Sequence, residues 1–219
     1  MIDLTLPGPL VTRCLPNSPC LSFPQELIAW DSRVRERLEA QPDDHSWSVE
    51  ALHWLVEDPL GIALISVIFL VLFVRCFRVP QIRSARKVGL ETFLLVLGGA
   101  LSDKTSVLLK VYFGRLKPHV NFYNPNVLPA LSFPSSHAFN TAFYCTWFFI
   151  ASRRLEEKRL GSRNLFGTFL FLLLIFISYS RIALGEHYPL DVTAGSLLGA
   201  SFAYLYSSLV SFVRSKKPW

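Results

Sequence analysis

The side chains that could do chemistry in this chain fall into three clusters, each beside an apolar segment. The first is basic, the second is rich in serine and ends in a histidine, and the third combines an arginine with a histidine and an aspartate. In chain order the clusters are Lys110 with Arg115, Lys117 and His119; Ser132 with Ser135, Ser136 and His137; and Ser180-Arg181 with His187 and Asp191. Ionisable groups inside or beside membrane spans are costly, so such clusters suggest function.

Together the clusters have the composition of a phosphate site. Cations and the free N–H groups at a helix N-terminus attract phosphate. Two histidines can supply a nucleophile and a general acid, and an aspartate can hold one imidazole in its reactive tautomer. The sequence has no convincing cluster of metal ligands, so we expect neither a metal ion nor another cofactor. The combination predicts phosphoryl chemistry by side chains alone.

The composition of the chain is that of a membrane protein. Of its 219 residues, 51% are hydrophobic and only 17% are charged, whereas soluble domains are about a quarter charged. The apolar residues are clustered, which disfavours a soluble globule and excludes disorder. Four cysteines are too few for a disulfide-rich scaffold. The net charge of +6 lies between apolar segments, which indicates membrane topology and argues against a nucleic-acid partner.

Five apolar segments are long enough to position these clusters, because each is close to the roughly 20 residues that cross a bilayer core. They lie at about 59–77, 88–113, 136–152, 164–183 and 190–213. The predicted fold is an all-α, polytopic membrane bundle of about five transmembrane helices, or six if an N-terminal segment inserts. Residues 58–219 form the transmembrane domain, and residues 1–57 form an N-terminal segment outside the cytoplasm.

The N-terminal segment contains an amphipathic helix at residues 24–40. Its apolar residues recur at helical spacing, with the charges on the other face; they are Leu27, Trp30, Val34 and Leu38. Two interpretations stay open: a helix packed on its own protein, and a helix that lies in the bilayer interface.

Loop charges predict the orientation in the membrane. The connection after the first span, the connection after the third span and the C-terminal tail are basic, and five spans place all three on one side. By the positive-inside rule that side is cytoplasmic. Residues 1–58 carry a net charge of −6 and lie outside with the three clusters. An oxidising compartment there permits Cys14 and Cys20 to pair, whereas Cys76 and Cys145 are expected to stay reduced.

The three clusters resemble the signature of the type 2 phosphatidic acid phosphatase family. The family's first motif is Lys, six residues, then Arg-Pro, and the chain has Lys110-VYFGRL-Lys117-Pro118. The second is Pro-Ser-Gly-His, here Pro134-Ser135-Ser136-His137. The third matches in full as Ser180-Arg181-IALGE-His187-YPL-Asp191. The resemblance covers about residues 88–212, with motif order and helix placement in agreement.

The resemblance implies a role for each motif residue. His187 is the nucleophile that forms a phosphohistidine, Asp191 orients it, and His137 protonates the leaving group. The residues that would hold the phosphate oxygens are Lys110, Lys117, Ser135, Arg181 and the backbone around Ser136 and His137. Arg115 is a further candidate for phosphate contact, alongside topological and lipid-headgroup roles.

Two departures from the family pattern affect this site. Lys117 stands where arginine is usual, which keeps the charge but loses the planar, bidentate grip on phosphate oxygens. Ser136 replaces glycine, so that position must not need a backbone that only glycine adopts. Neither change removes the nucleophile or the acid.

The family and the membrane setting together favour a lipid phosphate or diphosphate as substrate, because it can enter a site at the interface from the bilayer. Phosphatidate, phosphatidylglycerophosphate, undecaprenyl diphosphate and lipid A phosphates all remain candidates. The resemblance to bacterial members implies an inner-membrane protein with a periplasmic active site and no obligatory protein partner. The alternatives are a lipid phosphotransferase that uses the same site and a non-catalytic lipid-binding or transport protein.

Overall fold

The computed structural model describes residues 14, 19, 24–39, 85–118, 130–154 and 160–216. These residues contain five α-helices and, outside them, turns and isolated bridges. The helices are α1 (Gln25–Leu38), α2 (Ala85–Phe113), α3 (Ser136–Arg154), α4 (Leu160–Ala183) and α5 (Pro189–Lys216). The predicted all-α bundle is confirmed for this part of the chain, while the predicted span at 59–77 lies outside the described residues.

Two of the described helices are long and apolar enough to cross a membrane. They are the parts of α4 and α5 at Asn164–Ala183 and Pro189–Val213. Helices α2 and α3 also lie within a few residues of predicted spans, but both are more polar. The charged side chains in α2 include Asp103, Lys104 and Lys110, and Lys110 belongs to the first of the three clusters.

Helix α3 is central to the bundle and packs most extensively against α5. Two glycines of α5 allow the close approach. A Cβ at Gly199 would lie 2.1 Å from the carbonyl oxygen of Phe139, and one at Gly195 would lie 2.6 Å from that of Ser135. Small residues at these positions of α5 therefore let the two helices pack closely.

An aromatic cluster joins α3, α5 and α2 away from the clusters that carry chemistry. The ring centroids of Phe143 and Phe202 lie 5.9 Å apart, and those of Trp147 and Tyr206 lie 5.4 Å apart. The Tyr206 hydroxyl donates to the carbonyl of Leu94 at 2.8 Å, which satisfies its polar end. This cluster fixes α5 against its neighbours, and α5 carries Asp191.

Helix α1 docks on α4 and α5 through a different face from the predicted one. Ile28 and Asp31 are the buried residues of this helix, whereas Trp30 is 49% exposed. The prediction that the charges take the face opposite to the apolar residues is therefore wrong for Asp31, which is buried beside Ile28. The physical reason is an ion pair between Asp31 and Arg115, which gives the buried carboxylate a partner of opposite charge.

Of the two interpretations of this helix, packing on its own protein is the one the structure shows. Its outer side still presents Leu27, Trp30 and Leu38 as exposed apolar side chains. Contact of that side with the bilayer interface stays a prediction.

Candidate active site

The first motif is placed by the way α2 ends. Gly114 follows the last helical residue with φ 63° and donates its N–H to the carbonyl of Lys110 at 2.9 Å. This left-handed cap is one that glycine adopts without strain. It turns the chain so that Lys110 stays in the last turn of α2 while Arg115 and Lys117 follow in an extended segment.

That extended segment pairs with the residues before the second motif. Lys117 donates its N–H to the carbonyl of Ala130 at 2.9 Å, and Ser132 donates to the carbonyl of Arg115 at 2.7 Å. On the other side, Cys14 forms an antiparallel bridge with Arg115. The N-terminal segment therefore reaches the site, which the motif pattern did not indicate.

Cys14 itself is disulfide-bonded in the structure. Cys20, its predicted partner, and Cys76 lie outside the described residues. Cys145 is free and buried inside α3, as predicted.

The second motif begins helix α3 and is tied to both neighbouring motifs. Ser135 is buried, donates its N–H to the carbonyl of Asp191 at 3.0 Å, and accepts the N–H of Ala138 at 3.5 Å on its Oγ as an N-cap. The hydroxyl of Ser136 accepts a hydrogen bond from Ser106 of α2 at 3.0 Å. His137 follows in the first turn of α3 with an exposed side chain.

The third motif is shaped by the C-terminus of α4. Gly185 has φ 68° and donates its N–H to Ile182, while the N–H groups of Glu186 and His187 both reach the carbonyl of Arg181 at 3.1 Å. This is a Schellman turn, extended by one residue. It explains the five-residue spacing between Arg181 and His187, because the turn returns the chain to the carbonyl of the arginine.

Asp191 lies in the first turn of α5 and is fully buried. Its Oδ2 accepts the N–H of Tyr188 at 2.9 Å, the reciprocal half of a capping box. The same oxygen lies 3.5 Å from His187 Nδ1, while its Oδ1 accepts from Arg115 at 2.7 Å. The contact to His187 is longer than a normal hydrogen bond, as catalytic contacts often are before substrate binds.

His187 is only 2% exposed. Burial lowers its pKa to about 4, and the positive charges of Lys110 and Arg181 act in the same direction, against the opposing effect of Asp191. The imidazole is therefore neutral at pH 7, the form that a nucleophile requires. With Nδ1 directed at Asp191, Nε2 is the nitrogen left for attack.

Two cations of the motifs, Lys110 and Arg181, lie within electrostatic range of this imidazole. Lys110 Nζ donates to the carbonyl of Leu131 at 2.9 Å and lies within electrostatic range of Lys117 and Arg181. Arg181 is itself buried. A site built in this way concentrates positive charge where a phosphate group would be bound.

Glu186 accepts a hydrogen bond from Lys117 Nζ and has its Oε2 at 3.7 Å from Arg181. Burial alone would raise the pKa of Glu186, but the hydrogen bond and charge of Lys117, with Arg181, hold it below its ordinary value. The structure places this carboxylate on two of the cations that the family resemblance implies for phosphate binding.

Of the candidate phosphate-binding residues, Arg115 has the contacts that differ most from the prediction. It is 1% exposed, and its two terminal nitrogens donate to Asp191 and to Asp31 at 2.7 and 2.6 Å. Burial would lower its pKa, but the two carboxylates raise it, so the guanidinium remains charged. Arg115 thus contacts carboxylates behind His187, and motif reasoning missed Asp31 because no motif extends into α1.

Within residues 24–39, 85–118, 130–154 and 160–216, no three His, Cys, Asp or Glu side chains are grouped so that they could hold a metal ion. Independence from metal ions stays a prediction for the experiments below.

Comparison with known proteins adds to this geometry. The family model described as PAP2 superfamily matches residues 91–215. An undecaprenyl-diphosphatase from Sulfolobus acidocaldarius is 29% identical over 140 residues, which are 62% of this chain and 61% of that protein. The matched part of the chain therefore spans about three fifths of that relative.

Two solved structures share the fold. A transmembrane PAP2-type phosphatidylglycerolphosphate phosphatase from Bacillus subtilis has a TM-score of 0.61 at 16% identity, covering 86% of this chain and 88% of that one. Aquifex aeolicus LpxE has a TM-score of 0.52 at 22% identity, covering 82% and 96%. All three motifs lie inside the segment that the family model matches.

Proposed function

The chain belongs to the PAP2 superfamily, and we propose that it is a membrane-integral phosphatase that hydrolyses a lipid phosphate or diphosphate through a phosphohistidine. The observation that carries this proposal is the buried His187, with Nδ1 directed at Asp191 and Lys110 and Arg181 close enough to affect its titration. A neutral imidazole surrounded by fixed cations is suited to attack on phosphorus.

In the proposed reaction His187 Nε2 forms a bond to phosphorus as the bond to the leaving oxygen breaks. Asp191 stabilises the imidazolium that forms, as the aspartate of a triad does. Lys110, Lys117 and Arg181 hold the equatorial oxygens, where negative charge develops. Ser135 and the backbone at the start of α3 complete that pocket.

His137 donates a proton to the leaving alkoxide or phosphate. Its position in the first turn of α3, with an exposed side chain, supports this role because the leaving group departs toward solvent or the interface. Water then attacks the phosphohistidine, which releases inorganic phosphate and regenerates the neutral imidazole.

The proposed substrate class follows from the position of the site and from the relatives. The three motifs meet where α2 ends and where α3 and α5 begin, so they share one end of the bundle. Two of the similar proteins are named for lipid substrates, undecaprenyl diphosphate and phosphatidylglycerolphosphate. We place this end on the outer face of the membrane, because the basic connections lie at the opposite end.

The test is phosphate release by the purified protein from undecaprenyl diphosphate, phosphatidylglycerophosphate, phosphatidate and a lipid A phosphate, with p-nitrophenyl phosphate as the soluble comparison. At least one lipid should be hydrolysed with a kcat/KM well above that of the soluble ester. Release from none of the lipids would contradict the proposal. Product analysis with a second lipid present separates hydrolysis from phosphotransfer by the same residues.

A further inference from the structure

The N-terminal helix α1 contributes a buried carboxylate to the network behind His187. Asp31 is 0% exposed although it lies in a helix whose other charged side chains face outward or pair with each other. Its Oδ2 accepts from Arg115 at 2.6 Å, and its Oδ1 accepts the N–H of Leu190 at 2.7 Å. A carboxylate that is fully removed from water needs such partners.

The hydrogen bond between Asp31 and Leu190 reaches the first turn of α5, the helix that carries Asp191. Leu190 is the second residue of α5, so its N–H has no partner within the helix. A side chain at the N-cap commonly satisfies such a group, but Tyr188 precedes α5 and its side chain lies under Arg115 instead, with 4.0 Å between the guanidinium and the ring centre. Asp31 supplies the missing acceptor from another helix.

The ion pair between Asp31 and Arg115 affects the net charge of the groups behind His187. One guanidinium is shared by two carboxylates, Asp31 and Asp191. Burial raises the pKa of Asp31 against the opposing effect of Arg115, and with both carboxylates ionised the three groups carry a net charge of −1. If Arg115 faced Asp191 alone, the pair would be neutral. The sharing therefore keeps negative charge on the side of His187 that faces Asp191.

That charge matters in the proposed reaction, on which this inference rests. His187 becomes positively charged as it is phosphorylated, and Lys110 and Arg181 disfavour that change. Negative charge behind the imidazole offsets their effect in the transition state without touching the phosphate.

We propose that Asp31 is a positioning residue of the active site: it shares Arg115, orients the first turn of α5, and so preserves the negative charge of Asp191 beside His187. Helix α1 is on this account part of the catalytic unit, although it lies outside the segment that the family model matches.

The test compares three purified variants with wild type in a steady-state assay on the best lipid substrate. Asp31→Asn keeps the shape and removes the charge, Asp31→Glu keeps the charge, and Glu36→Gln removes a charge from an exposed position on the same helix, where the side chain is 59% exposed. We expect Asp31→Asn to lower kcat about tenfold or more with KM changed less than about twofold. Asp31→Glu should retain more activity than Asp31→Asn, and Glu36→Gln should match wild type.

A merely structural role would give a different pattern. If Asp31 only docked α1, the near-isosteric Asn would be better tolerated than the longer Glu, and KM would rise with the loss of kcat. Either result, or a kcat for Asp31→Asn within twofold of wild type, would overturn the inference. If Asp31→Glu does not fold, the inference is tested by Asp31→Asn alone: a lower kcat with a nearly unchanged KM supports it, and a KM that rises as kcat falls overturns it. Inactive wild type on every lipid would refute the proposed function together with this inference, whereas active wild type with active Asp31→Asn refutes the inference only.

Discussion

At the residue scale, the most informative property is the protonation state of His187. Burial lowers its pKa to about 4, against about 6.5 for an unperturbed histidine. The folded protein therefore leaves this imidazole neutral between these two values, while the unfolded chain would protonate it. Stability linked to this group is present above pH 6.5 and is lost progressively as the pH falls toward 4.

The lowered pKa of His187 predicts the midpoint of its titration, which NMR can measure. In protein labelled with ¹⁵N-histidine, the imidazole signals that disappear in His187→Gln should titrate with a midpoint near pH 4. A circular dichroism spectrum recorded at each acid point verifies that the protein is still folded there. A midpoint near the ordinary value for histidine would mean that the imidazole is solvated, and the description of His187 as a buried, neutral nucleophile would then be wrong.

The proposed phosphate-binding role of Lys117 leads to a second prediction about a single residue. Lys117→Arg should retain or raise phosphate release, because both side chains carry the charge that the phosphate needs and Arg adds a bidentate contact. Lys117→Ala should lower kcat/KM by about tenfold or more, because it removes that charge. Lys104→Ala, which removes an exposed cation from α2, is the matched control. Full activity of Lys117→Ala would show that the first motif is assigned to the wrong lysine.

At the scale of elements, the contact between α3 and α5 holds the second and third motifs together. Gly199→Ala should destabilise the protein strongly, because the added methyl group would meet the backbone of Phe139 at 2.1 Å and the helices would have to separate. Overpacking commonly costs about 1–3 kcal/mol, and a backbone clash belongs at the upper end. Separation would also move Ser135 relative to Asp191, so phosphate release should fall.

Gly167→Ala in α4 is the control for that variant. Its added methyl group would meet only the ring of Phe149, at 3.2 Å, and that side chain can move. Thermal unfolding in detergent should show a much larger decrease in Tm for Gly199→Ala than for Gly167→Ala. Equal decreases would indicate that the close approach of α3 and α5 is not specially required.

The elements also show what the sequence could predict and what it could not. The ends of α2, α3, α4 and α5 lie within a few residues of the predicted spans, because length and apolar content decide where a membrane helix lies. The inward face of α1 could not be predicted in this way. Asp31 lies one turn from Leu27, at the edge of the apolar stripe, where a carboxylate is not expected to be buried, and only the distant Arg115 makes its burial favourable. The same holds for Glu186, whose partner Lys117 is 69 residues away.

At the scale of the whole molecule, the prediction is about how the protein is oriented in the membrane. The acidic N-terminal segment and the site should face outward, because the basic connections mark the cytoplasmic side. In intact cells, Glu36→Cys on the exposed side of α1 should react with a membrane-impermeant maleimide, and Arg153→Cys at the opposite end of α3 should not. Labelling above the wild-type background is the quantity to compare. The reverse pattern would place the active site on the cytoplasmic side, with a different set of lipid phosphates available to it.

In the described part of the chain, residues of all five helices or of the turns beside them contribute to the proposed site around His187. Three motifs that are far apart in sequence meet through backbone contacts such as that of Ser135 with Asp191. The proposed reaction therefore depends on one side chain above the others, the imidazole of His187.

The most direct test of this claim is phosphate release from the best lipid substrate in the presence of EDTA, with wild type and His187→Ala measured side by side as folded, detergent-purified proteins. We expect sustained release by wild type without any divalent ion and none above background by His187→Ala. Release by His187→Ala at the wild-type rate, or release by wild type that requires an added divalent ion, would contradict it.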